Sequence, residues 1–330
     1  MEGLIMIVDI TGELKSEPIR KGFGRGLLEA GKRDERVVAL CADLTESTQI
    51  SLFAAEFPNR YIEVGIAEQN LVTVAAGLAT MGKIPFASSY AAFSPGRNWE
   101  QFKTTACLNQ VPVKLVGAHA GLYTREDGAT HQMLEDIALM RVLPNNVVLV
   151  PCDSVEAEKA AIAMAADPRP GYLRIAKDPT PIITLPETPF EIGKAIRMWD
   201  GTDITIVATG TMTYQALAAA EMLKNDGISA EVLHYGTIKP FDEKALLESV
   251  SKTRLVITIE EAQIAGGLGG AVSEILGEQM PTPILRMGMK DRFGESGTPT
   301  ELLEKFGLTA KHIRLNAHAL MEAHKKKQDL

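Results

Sequence analysis

Short apolar runs alternate with helical patterns along nearly the whole chain, and this rhythm restricts the fold more than any other feature. In the first half the strand-like runs are RVVALCAD (36–43), RYIEVG (60–65), IPFASS (84–89), VPVKLVGAH (111–119), NVVLVPC (146–152) and GYLRIA (171–176). Between them the apolar spacing predicts helices over 19–30, 66–81, 98–109, 134–140 and 155–167. Alternation of this kind means strand–helix–strand crossovers and a mostly parallel sheet covered on both faces. A proline-rich polar stretch, KDPTPIITLPETPFEIGKA (177–195), interrupts the rhythm. It then resumes with strands at 203–210, 229–236, 254–261 and 282–288 and helices near 212–225, 242–250, 267–278 and 299–306. The expected fold class is α/β, with two open, mostly parallel sheets flanked by helices. The expected division is an extension over 1–15, a first domain over 16–180, a linker over 181–193 and a second domain over 194–330.

At 330 residues the chain is too long for one ordinary core, which agrees with two domains. A formal net charge of −8 argues against general nucleic-acid binding, although it leaves room for a local basic pocket. No apolar run reaches the ~18–20 residues of a membrane span. The opening MEGLIMIVDI lacks a basic flank and a small-residue cleavage site, so no secretory signal is read there, and Met6 could serve as the natural start. Cys41, Cys107 and Cys152 are widely spaced and form no CxxC pattern. They read as reduced structural thiols of a cytoplasmic protein.

Ligands of open α/β sheets collect at the carboxyl ends of the strands. Asp43, Glu68, His119 and Arg174 stand at or near such ends, so parallel neighbouring strands would gather them on one edge. Glu68 opens a helix, where a carboxylate complements the helix dipole. Its neighbours Ile66, Ala67, Leu71 and Val72 are apolar, however, and an unpaired buried carboxylate costs several kcal/mol. Such a group is either paired or held protonated. The connection HAGLYTREDGATHQMLED (119–136) brings two of the six histidines, His119 and His131, close to Asp127. No HxH or HxxxH spacing supports a metal there. GGLGG (266–270) lacks the order of a dinucleotide fingerprint and reads as close packing. GFGRG (22–26) falls inside a helical pattern instead of following a strand.

Taken together, IRKGFG (19–24), ADLTES (42–47), VGIAEQN (64–70), SYAAF (89–93), HAGLYTREDGATHQ (119–132) and YLRIAK (172–177) resemble the transketolase family of thiamine-diphosphate enzymes. The likeness is to the pyrimidine-binding and C-terminal domains of that family. GIAEQN is shared across several thiamine-diphosphate families, whereas EDGATHQ, beginning seven residues after His119, is particular to transketolases. The GDG…N magnesium motif of the family's first domain does not occur in the sequence. The resemblance therefore implies the C-terminal subunit of a split transketolase. A separate N-terminal subunit would bind Mg2+ or Ca2+ and the diphosphate, and a dimer of heterodimers would form.

The resemblance also implies roles for individual residues. Glu68 would hydrogen-bond N1′ of the aminopyrimidine and favour its imino tautomer. Phe93, with Tyr90, would stack on that ring, and Asp43 would lie close to the cofactor. Arg20, Ser47, His119 and Arg174 would grip the phosphate of a sugar, a task suited to a guanidinium fork with hydroxyl and imidazole donors. Asp127 would contact a sugar hydroxyl, and His131 would lie near the reacting carbonyl and C1 hydroxyl. The implied activity moves a two-carbon ketol unit from a ketose phosphate to an aldose phosphate. Arg125 stands where many relatives carry a small or non-basic residue, and it could add a contact to an anionic substrate. The alternatives are the β subunit of a 2-oxo-acid dehydrogenase, a non-catalytic assembly subunit, and a nucleotide-binding module built on GGLGG.

Overall fold

The structure, a computed structural model, describes residues 7–328. The expected start at Met6 lies outside the described residues. The strands are β1 (Ser16–Pro18), β2 (Val37–Cys41), β3 (Tyr61–Glu63), β4 (Ile84–Tyr90), β5 (Lys114–Ala118), β6 (Val147–Leu149), β7 (Gly171–Arg174) and β8 (Pro179–Pro181). They continue with β9 (Ile196–Trp199), β10 (Ile204–Ala208), β11 (Ala230–His234), β12 (Thr237–Lys239), β13 (Val256–Gln263) and β14 (Ile284–Met289).

A seven-stranded sheet runs β12-β6-β7-β5-β4-β2-β3, parallel throughout except for β12. A five-stranded sheet runs β14-β13-β10-β11-β9, parallel except for β9. β1 and β8 form a small antiparallel ribbon. The expected pair of open, mostly parallel α/β sheets is therefore present.

β2 explains why both faces of the large sheet are apolar. All five of its residues are buried: Val37, Ala39 and Cys41 point into one core cluster, Val38 and Leu40 into the other. Alternation along a strand sends successive side chains to opposite faces, so a strand covered on both sides must be apolar throughout. Chain order reverses between β2 and β4, leaving a crevice beyond their carboxyl ends.

The glycines of GFGRG serve close packing of helices. Helix Ile19–Arg33 lies against helix Ser154–Ala166, and a Cβ added at Gly22 would overlap the Ser154 carbonyl. GGLGG likewise packs: the buried Glu260 carboxylate accepts from the Leu268 and Gly269 amides, each at 2.8 Å, and fills the space beside Gly267.

The structure departs from the sequence reading at several places. The helix expected over 98–109 is a short turn Trp99–Gln101 followed by a π-type stretch Phe102–Cys107. The strands β1, β8, β9 and β12 and the helix Ala310–Gln328 lie outside every run read as a strand or helix. That helix is pinned by Arg314 and His318, which meet Asp226 at 2.5 and 2.8 Å. All three cysteines are buried and unpaired with one another. No helix among the described residues is long and apolar enough to cross a membrane.

Gly22→Ala is expected to lower stability by about 1–3 kcal/mol, the usual cost of overfilling a tight contact. A shift of the denaturant-unfolding midpoint to lower concentration, with an unchanged slope, would be the signature.

Candidate active site

Four of the six parallel strands deliver the polar groups expected at their carboxyl ends. Asp43 follows β2 at φ 59°, is exposed, and its amide donates to Glu63 Oε1 at 2.8 Å. Glu68 begins helix Glu68–Thr80 after β3. It is 3% exposed, yet it lines an open cavity of about 450 Å3 together with Ile66, Gln69, Asn70, Thr73, Arg97 and Gln101. The nearest cation, Arg97, is 3.7 Å away and mostly exposed. That separation is too long for a hydrogen bond.

An aromatic wall connects this carboxylate to the rest of the site. The Arg97 guanidinium lies 5.5 Å from the centre of the Phe93 ring. Phe93 is 6.2 Å from Tyr90 in a stacked arrangement and 5.6 Å from His131, edge on. Tyr90, the last residue of β4, stacks on His119 at 3.9 Å. His119 follows β5 at φ 56° and is 1% exposed, and its buried Nδ1 has no hydrogen-bond partner. Burial, helped by Arg20 and Lys177, pushes its pKa down to about 3. The imidazole is neutral at physiological pH.

Beyond His119 lies a group of charges. Arg20, in the first turn of its helix, donates from Nη1 to the Ser47 carbonyl at 2.8 Å, and its buried Nε is unpartnered. Lys177 Nζ donates to Asp127 Oδ2 at 2.8 Å, and this bond holds the Asp127 carboxyl below its ordinary range. Through Arg97, Glu68 is linked to the contacting rings Phe93, Tyr90, His131 and His119, and Asp127 lies within the fields of both histidines. Arg20 and Ser47 stand at the charged end of this series.

Arg174 does not belong to that series, and its expected place in the phosphate grip is corrected here. As the last residue of β7 it is 4% exposed; Nε bonds Asp136 at 2.9 Å and Nη1 bonds Glu261 at 3.1 Å. Burial opposes its charge, but Asp136 and Glu261 more than offset this and raise its pKa. Its fork is already occupied by two carboxylates in the interior. The cation that reaches the site is Lys177, which the sequence reading passed over. A signal was available: like His119, Lys177 lies past the carboxyl end of its strand, whereas Arg174 is still the last residue of β7. Arg97 was missed because nothing in its local sequence sets it apart from a surface arginine.

One buried cluster, Cys152, Glu156 and His234, has the spacing of a metal site. His234 already bonds Glu156 through Nε2 at 2.8 Å and Thr213 through Nδ1 at 2.8 Å. It is a satisfied hydrogen-bond network joining the helix Ser154–Ala166 to β11.

Residues 16–181 match the family model of the transketolase pyrimidine-binding domain, and residues 193–313 match that of the transketolase C-terminal domain. The chain belongs to the transketolase family. It is 45% identical to a protein of Methanocaldococcus jannaschii described as a transketolase C-terminal section, over 97% of this chain and 100% of the relative. It is 44% identical to the 6-deoxy-6-sulfo-D-fructose transketolase subunit SqwH of Clostridium sp. (strain MSTE9), over 94% of this chain and 96% of that one. A solved split-gene transketolase, described as an inactive beta4 tetramer, superposes with a TM-score of 0.87 at 44% identity, covering 92% of this chain and 98% of its own. The chain is a transketolase-like subunit of the split kind.

Two expectations follow from this geometry. Arg174→Met leaves Asp136 and Glu261 buried without their cation and should cost about 3–5 kcal/mol, read by thermal or chemical denaturation. His119 has a folded pKa below its ordinary 6.5, so it contributes stability above pH 6.5 that is lost as pH falls toward about 3. His119→Asn should flatten the stability–pH curve in that window.

Proposed function

We propose that this subunit supplies the pyrimidine side of a thiamine-diphosphate pocket and the sugar-phosphate grip of a transketolase. Joined to an N-terminal subunit, it would move a two-carbon ketol unit from a ketose phosphate to an aldose phosphate. The observation that carries this reading is the buried Glu68 carboxylate lining an open cavity, joined by an aromatic wall to a cluster of cations. A carboxylate so placed, with no hydrogen bond of its own among the described residues, suits the ring nitrogen of an aminopyrimidine. The residues present therefore fit the cofactor.

Glu68 would hold that nitrogen, Phe93 and Tyr90 would offer ring faces, and Asp43 would stand nearby. When bound, thiamine diphosphate supplies the nucleophilic carbon that cleaves and forms the C–C bond. The metal ion and the diphosphate would be held by the N-terminal subunit, in a dimer of heterodimers. Arg20, Ser47, His119 and Lys177 would bind the sugar phosphate, with Lys177 in the role first expected of Arg174. The neutral His119 can donate one N–H without adding charge, so its contribution would persist across physiological pH. Asp127 would take a sugar hydroxyl, and His131, set edge-on to Phe93, would face the reacting carbonyl and C1 hydroxyl.

The reading is tested by mixing the purified chain with its N-terminal partner, Mg2+ and thiamine diphosphate. Ketol transfer should appear only in the complete mixture, and Glu68→Ala should abolish it while co-purification with the partner persists. Transfer by the chain alone, or full transfer by the mutant, would overturn the assignment.

A further inference from the structure

The loop after His119 passes three times through backbone conformations that glycine adopts freely. Two of these positions are glycines, Gly121 (φ 68°, ψ −159°) and Gly128 (φ 70°, ψ −165°). The third is Arg125 (φ 70°, ψ −133°). A side chain in this region costs on the order of 1–3 kcal/mol. The backbone alone does not call for an arginine: the Arg125 carbonyl accepts from Gly128 N at 3.2 Å and from Gln132 Nε2 at 3.3 Å, bonds that glycine would keep.

The ion pairs of Arg125 do not repay that cost. Its Nε lies 3.1 Å from Glu126 and 3.2 Å from Asp178, but it makes no hydrogen bond, so the N–H is aligned with neither carboxylate. The Arg125 side chain is 40% exposed, that of Glu126 68% and that of Asp178 15%, so neither pair is buried on both sides. Half-exposed pairs of this kind are worth about 0–1 kcal/mol. Strain that local contacts do not offset points to a ligand.

The surroundings say which ligand. Arg125 and Asp127 on the loop face Asp178 and Lys177 on the segment after β7, forming two crossed ion pairs. Asp178 also lies within the fields of Lys177 and Arg20, the cations beside His119. One carboxylate thus contacts Arg125 and feels the fields of Lys177 and Arg20, opposed by that of Glu126, and a tetrahedral oxyanion could take its place.

We propose that Arg125 is a specificity-determining residue that, with Lys177, seats the terminal oxyanion of the sugar, and that Asp178 is its resting counter-ion until substrate displaces it. This rests on the reading of the site as a sugar-anion grip. One added cation stabilises a phosphate dianion twice as strongly as a sulfonate monoanion at equal distance, because Coulomb energy scales with the product of charges. A relative at 44% identity is named for a sulfonated sugar, so the family accommodates both end groups. Arg125 tilts this chain toward phosphate.

Arg125→Gly tests the proposal because it removes the cation and the strain together. In the assembled enzyme, KM for the ketose phosphate should rise about tenfold, the value of one charge-assisted hydrogen bond, and by clearly less for a sulfonated or uncharged ketose. The isolated chain gives an independent readout that stands even if no ketol transfer is found. Inorganic phosphate should raise the Tm of the wild type and do so much less for Arg125→Gly, while the protection given by methanesulfonate falls by only about half as much. The ligand-free mutant should melt no lower than the wild type. A mutant that melts lower yet keeps full phosphate protection, or one whose KM values rise equally for all three sugars, would assign Arg125 a structural role and overturn the proposal.

Discussion

The buried cluster of Arg174, Asp136 and Glu261 is the constraint on which the site depends. Its members come from β7, from the helix Asp136–Arg141 and from β13 of the second sheet. Glu261 divides its carboxylate: Oε1 takes Arg174, and Oε2 accepts the Leu122 amide at 3.1 Å. Leu122 begins the loop that carries Arg125 and Asp127. The charge that the sequence suggested for a phosphate grip instead fixes, through Glu261, the loop that on the proposed reading would face the phosphate. A buried ion pair repays its desolvation only when further hydrogen bonds complete it. Here Tyr172 donates to Asp136 at 2.8 Å, and a main-chain amide completes Glu261. The gain is less in net stability than in a single permitted placement of the two sheets.

The architecture was legible because the central strands, β2 above all, are largely apolar on both faces, a pattern expected of a doubly covered sheet. β9 and β12 were not legible: short edge strands are defined by the neighbour they pair with, and a sequence does not display the neighbour. Among the site residues, Glu68 was found because a carboxylate amid apolar neighbours demands an explanation. Arg174 was misplaced because composition shows that a cation ends a strand but not which way its fork turns. The two residues between Arg174 and Lys177, Ile175 and Ala176, separate the interior from the crevice. The backbone strain at Arg125 had no sequence signal beyond the presence of a large residue between two glycines.

On the proposed reading, the shape of the Glu68 cavity follows from its being one side of a shared site. Its lining includes a buried carboxylate together with Ile66, 74% exposed, and the largely exposed Arg97. A large aliphatic side chain left in water beside a functional carboxylate gains its free energy only when another surface covers it. Exclusion of water would then strengthen every electrostatic contact of Glu68 at the same moment.

One further feature bears on how such a chain can change over time. β12 belongs to the C-terminal stretch of the sequence but completes the edge of the large sheet, where Thr237 pairs with Leu149 and Lys239 with Val148. Lys239 then reaches back to the Arg141 and Leu143 carbonyls at 3.0 and 2.5 Å. The first half does not close its own border, whereas the second sheet is built wholly from residues after the linker. Severing the chain at the proline-rich connection would leave the first module with a bare edge and the second with a stray strand, a cost that favours keeping the two together.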